Sequence, residues 1–161
     1  MTTTGQPASG AFDAAMDAFE DGLGIPLGGP NEQAQDEVKR LLSLGTVDLT
    51  QMNEDQCGEA AVVLMNFAFH LQRCTNREQA RANWAEETLK KIISKTLPRQ
   101  SGGSYEERRL LAVSASEQAD SLDRTRIRAR AKADALAFQA QRIDSLSKAL
   151  MALKQTRRKY A

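Results

Sequence analysis

The chain has 161 residues, 41 % of them hydrophobic and only 5 % aromatic, enough length for one domain but without the β-branched and aromatic richness of a sheet protein. Its Ala-, Leu-, Gln-, Glu- and Arg-rich tracts favour helix, and the expected fold is all-α, antiparallel helical hairpins with a long C-terminal helix, assembled as a homo-oligomer. The net charge of +1 conceals −9 over residues 1–60 and +10 over residues 61–161, an asymmetry that points to a polyanionic partner.

Residues 1–30 read as an acidic, largely disordered N-terminal arm. Met1 to Gly10 hold almost nothing to bury. Phe12, Ala15, Met16, Phe19 and Leu23 then recur at helical spacing among Asp13, Asp17, Glu20 and Asp21, a piece too short to stand alone in water. Gly22, Gly24, Pro26, Gly28, Gly29 and Pro30 form a breaker-rich linker. Residues 31–49 supply a short helix, opened by Pro30 and stopped at Gly45, and a linker.

Residues 50–161 read as the helical core domain. Thr50 is positioned to cap a helix from about Gln51 to Arg73, with Ala61, Leu64, Ala68 and Leu71 as its apolar stripe. The spacing Thr75-x-x-Glu78 is that of a capping box, so a new helix is expected near Asn76, running to about Leu97 and ended by Pro98, with Trp84 on its apolar side. Ser104-x-x-Glu107 opens another. Ser114, Ser116 and Ser121 weaken a helix without stopping it, which leaves open whether the chain breaks there. From Leu122 a heptad places Leu122, Ala129, Leu136, Ile143 and Leu150 on one position and Leu146 and Leu153 on its partner. Leu136, Ile143, Leu146, Leu150 and Leu153 are therefore the expected oligomer seam.

The same helix carries Arg124, Arg126, Arg128, Arg130 and Lys132 at its start and Arg157, Arg158, Lys159 and Tyr160 at its end. At about 100° per residue, Arg124, Arg128 and Lys132 form one stripe and Arg126 and Arg130 another. Both stripes cannot face one phosphate backbone on a monomer; they can if several copies of the helix line a ring or groove, or if nucleic acid wraps across two helices. Lys90, Lys91, Lys95, Arg99, Arg108 and Arg109 add a second basic region beside Tyr105. Asp123 and Asp134 merely flank the block and i,i+4 Glu partners are missing, so the expectation is an unbalanced phosphate-binding surface. Phosphate contacts carry no sequence information, and Tyr105 and Tyr160 are the candidate stacking aromatics.

Cys57 and Cys74 lack metal-site or redox spacing, and His70 is the lone histidine, so no metal, cofactor or catalytic constellation is expected. Glu86 and Glu87 are adjacent and point about 100° apart on a helix, as surface charges do. Neither a leader nor a membrane-spanning run is visible, which makes the expected location a reducing cytoplasm.

The order of elements from about Gln51 to Tyr160 resembles that of phage recombination mediators of the UvsY type. The resemblance is carried by AAVVLMNFAFHLQR, NREQARANWAEETLKKIISKTL, the loop RQSGGSYEERR and the final RIRARAKADALAFQAQRIDSLSKAL. It implies a ring-like homo-oligomer that binds single-stranded DNA and helps load a strand-exchange recombinase onto DNA covered by a single-strand-binding protein. The basic residues of the loop and final helix would be its DNA contacts. The acidic segment from Phe12 to Asp21 departs from that pattern. The competing reading is a virion structural protein, a helical connector or scaffold subunit; a membrane-surface role is disfavoured because the final heptads lack interfacial Trp and Phe.

Overall fold

The computed structural model describes residues 8–24, 29–101 and 103–160, with the backbone alone for Ala8, Ser9 and Tyr160. Among the described residues the regular structure is wholly helical. In chain order the elements are α1 (Ala8–Gly22), α2 (Glu32–Ser43), α3 (Thr46–Gln51), α4 (Glu54–Ile93), a 3-10 turn (Leu97–Arg99), α5 (Tyr105–Ser114) and α6 (Glu117–Tyr160). Two units divide them: the first takes the residues up to Arg73 together with those from Leu136, and the second is Cys74–Ala135.

In the first unit, α2 starts where the Ala34 N–H donates to Asn31 Oδ1 at 2.8 Å and lays Val38 and Leu41 into the core. There they meet Cys57, Ala60, Ala61, Leu64 and Ala68 of α4 and Ile143 and Leu150 of α6. The Ser147 hydroxyl, buried in this contact, donates to the Ala61 carbonyl at 2.7 Å, and the Arg157 guanidinium donates to the Thr50 carbonyl. Lys154 lies over Gly58 so closely that a Cβ there would come within 2.6 Å of its Nζ. This is how a long cationic side chain covers backbone with its apolar stem.

Three expectations change in this unit. The seam assigned to contacts between copies is used inside the chain: Ile143 and Leu150 are buried, Leu146 and Leu153 pack against the same cluster, and Leu136 is half-buried. The acidic segment is a helix rather than a disordered arm. It turns Phe12, Asp13 and Met16 inward, and its buried Glu20 reaches Arg73 Nε at 3.6 Å. Residues 1–7 and the linker positions Pro26 and Gly28 lie outside the described residues. Finally, Thr50 does not cap α4: its hydroxyl donates to the Val47 carbonyl in α3. Asn53 does so instead, with the Gln56 N–H donating to Asn53 Oδ1 and the Asn53 N–H to Gln56 Oε1, both at 2.9 Å.

In the second unit, α4 passes through Thr75 without the expected restart. A capping box stabilises by about 1 kcal/mol, whereas interrupting a helix here would unmake several backbone bonds and expose Thr75 and Glu78, which are 1 % and 6 % accessible. With no Gly or Pro to force a break, continuation wins. Ala85, Leu89 and Ile93 of α4 pack with Ala112 and Val113 of α5 and Ala119 and Leu122 of α6, flanked by Trp84, Ile92 and Leu97. The other buried apolar positions are Ala82, Ala129 and Ala133. The box at α5 forms as expected: the Glu107 N–H donates to Ser104 Oγ at 3.1 Å, and Glu107 Oε2 accepts from the Gly103 and Ser104 N–H groups. The chain breaks at Ala115 and Ser116, where Ser116 Oγ accepts the Ala119 N–H at 3.3 Å and starts α6.

Candidate nucleic-acid interface

The second unit holds thirteen basic and nine acidic residues in sequence, +4, and most of its basic block is internally balanced. Arg124 pairs with Asp120 at 2.8 Å. Arg126 and Arg109 converge on Asp123 Oδ1 at 2.8 and 3.3 Å, with all three side chains largely covered. Arg130 pairs with Glu86. Lys132 reaches the buried Glu78 at 2.7 Å, and Arg81 binds the same carboxylate. The locally unbalanced block expected from the sequence is thus corrected. Its partners sit one helical turn back on α6, or on α4, where linear spacing does not reveal them.

Glu86 is the hub of this network. Its carboxyl is held below the usual carboxylate range, first by the hydrogen bond from Lys90, which burial opposes, and then by the fields of Arg130, Lys90 and Arg126. Lys90 is correspondingly raised, by its hydrogen bonds to Glu87 and Glu86. The two carboxylates singled out as adjacent are thus clamps on cations rather than an acid–base pair.

Once these pairs are removed, Lys91, Lys95, Arg99, Arg108 and Arg128 of this unit have no ion pair among the described residues. Lys91, Lys95 and Arg99 are all exposed and four residues apart. Helical turning continues beyond α4 through the Ser94 N–H to the Lys90 carbonyl and the Thr96 N–H to the Ile93 carbonyl. The 3-10 turn that carries Arg99 packs on α5. Tyr105, 56 % exposed at the start of α5, lines a cleft of about 280 Å³ with Lys90, Arg109, Arg126 and Glu86, floored by Leu89 and Ile93. Its cations are matched by Glu86, Glu87 and Asp123, and Glu106 lines it too, so what the cleft offers is an apolar floor and one aromatic, a place to lay a base against Tyr105.

In the first unit Arg158 and Lys159 are exposed and carry no ion pair among the described residues, while Arg157 is drawn to Thr50. The side chain of Tyr160 lies outside those described. The terminal and loop basic groups are therefore assigned to separate units. Among the described residues no group of three His, Cys, Asp or Glu side chains is arranged to hold a metal ion, and no helix is long and apolar enough to cross a membrane. No protein-family model, no curated protein and no solved structure matches this chain.

Proposed function

We propose that the chain binds single-stranded nucleic acid through its phosphates, without sequence preference, at the end of α4, the 3-10 turn and the start of α5. The observation that carries this reading is the run of Lys91, Lys95 and Arg99, exposed and without acidic partners among the described residues, in a unit where most other cations, Arg108 and Arg128 apart, are held by carboxylates. Tyr105 and the cleft beside it favour strands whose bases are free to stack. The narrower role, a recombination mediator that acts as a homo-oligomer of helical hairpins and helps a recombinase displace a single-strand-binding protein, draws its support from the order of helices and the basic loop alone. A virion connector or scaffold subunit is the second reading, favoured by the exposed apolar positions Val62, Met65 and Phe69 on α4.

Titrating a labelled oligothymidylate at several salt concentrations tests the binding. With about five cations engaged, log affinity should fall against log salt with a slope of about −3.5, at about 0.7 per phosphate. Reversing Lys91, Lys95 and Arg99 to Glu should abolish the complex, whereas Arg124→Glu, at a residue already paired, should weaken it only slightly. A flat salt response, or equal losses from both variants, would reject this site.

A further inference from the structure

Helix α4 carries a second apolar seam, roughly a third of a turn around from the stripe that enters the first unit's core. Val62, Met65 and Phe69 follow one another at spacings of three and four and are 49 %, 38 % and 66 % exposed. Gln72 continues the series and is exposed as well. No charged residue occurs from Ala60 to Gln72, although 27 % of the chain is charged. A long uncharged face with heptad spacing is what a coiled-coil partner covers.

We propose that the occupant is a second copy of this chain, laid antiparallel along the same helix about a two-fold axis. A two-fold contact sets a surface against itself, so any charge on it is doubled; an uncharged seam meets its own copy without repulsion. The charges that bound the seam have opposite signs: exposed Glu59 before it and, after it, Arg73, half-buried beside Glu20. Antiparallel docking with Met65 against Phe69 of the second copy brings Glu59 beside Arg73 of that copy at both ends and sets Asn66 against its own counterpart. Parallel docking would instead stack Glu59 on Glu59. At the centre, two methionine thioethers lie against two phenylalanine rings, a favourable sulfur–aromatic arrangement. Three large apolar side chains per copy fall short of a standard interface of about 1,200–2,000 Å², so the dimer is concentration-dependent. Nucleic acid does not fit this face, because it presents no cation from Ala60 to Gln72.

Sedimentation of the full-length chain across a dilution series should show a monomer–dimer equilibrium. Phe69→Glu should raise the dimer Kd about tenfold or more and leave helical circular dichroism unchanged, and Tm unchanged at dilutions where both proteins are monomeric, since the side chain is largely in solvent. In a Cys74→Ser background, with Cys57 retained in the core, mild oxidation should join Asn66→Cys to itself. It should also join Met65→Cys to Phe69→Cys when the two are mixed. Four results would overturn the proposal. They are a monomer at every concentration, a dimer that survives Phe69→Glu, self-linking of Glu59→Cys as fast as that of Asn66→Cys, and loss of oligonucleotide binding by Phe69→Glu with no change in mass.

Discussion

The two units hold helices together by different means. The first buries branched aliphatic side chains, Val38, Leu41, Leu64, Ile143 and Leu150, around α4, beside Ala60, Ala61, Ala68 and Ala140. The second buries more alanine, at positions 82, 85, 112, 119, 129 and 133, with Leu89, Ile93, Val113 and Leu122 as its larger members. Its ties between elements are ionic: Glu78 to Lys132, Glu86 to Arg130 and Arg109 to Asp123. Alanine offers little area to remove from water but lets helix backbones approach closely. The first unit should therefore suffer most from lost volume, and the second from added volume or altered charge.

The largest expected effect breaks this contrast in both directions. Leu64→Ala should destabilise the first unit by about 2–5 kcal/mol, read as a shift of the urea midpoint and faster amide exchange in α2. Ala85→Leu, which adds volume at a fully covered position of the second unit's cluster, should cost that unit about 1–3 kcal/mol. If Ala85→Leu proves neutral, the tight alanine contact is not a constraint. Asp123→Asn comes next, because it removes the counter-charge shared by two largely covered arginines. Discounted for their partial exposure, the loss should be about 1–2 kcal/mol. The same change releases Arg109 and Arg126 beside Tyr105, so the oligonucleotide salt slope should steepen by about 1.4. Destabilisation without a steeper slope would mean that these arginines do not reach the strand.

The smallest effect concerns His70, whose pKa is lowered by burial and then by Arg73. A group with a lowered folded pKa contributes stability that is complete above its unfolded value and declines as pH falls. The chain should therefore lose a little stability as pH drops below about 6.5, and His70→Leu should flatten that decline. Glu37 and Glu86, held low by Arg40 and Lys90 respectively, do not share this window, since their contributions persist to about pH 4 or below. An unchanged profile in His70→Leu would assign the decline elsewhere.

The helical class, the box at Ser104 and Glu107 and the core role of Leu64 and Ala68 were legible in the sequence because each rests on local spacing. The capping box at Thr75 was misleading, since its local gain is overridden by the burial of Thr75 and Glu78. On α6 the leucines at 146 and 153 drew the partner position of the heptad one residue away from Ala133, Ala140 and Ser147, the positions that are buried. Small residues carry a weak hydropathy signal, and their value as contacts depends on a partner that no linear pattern displays. The basic block failed in the same way. Asp120 and Asp123 were close enough in sequence to be read as partners, but Glu78 and Glu86 lie 54 and 44 residues from the cations they hold. Asn53 with Gln56 was a cap that spacing alone could have identified.

The second unit is inserted in the first: the chain leaves one unit after Arg73 and rejoins it at Leu136. During synthesis Leu64 and Leu41 emerge 79 and 102 residues before Ile143 arrives to cover them, which at about 5–20 residues per second is a wait of roughly 4–20 s. The second unit, whose partners all lie within Cys74–Ala135, can close during that interval. The half-built first unit is the nascent chain's sticky stage, with its apolar face still open to water.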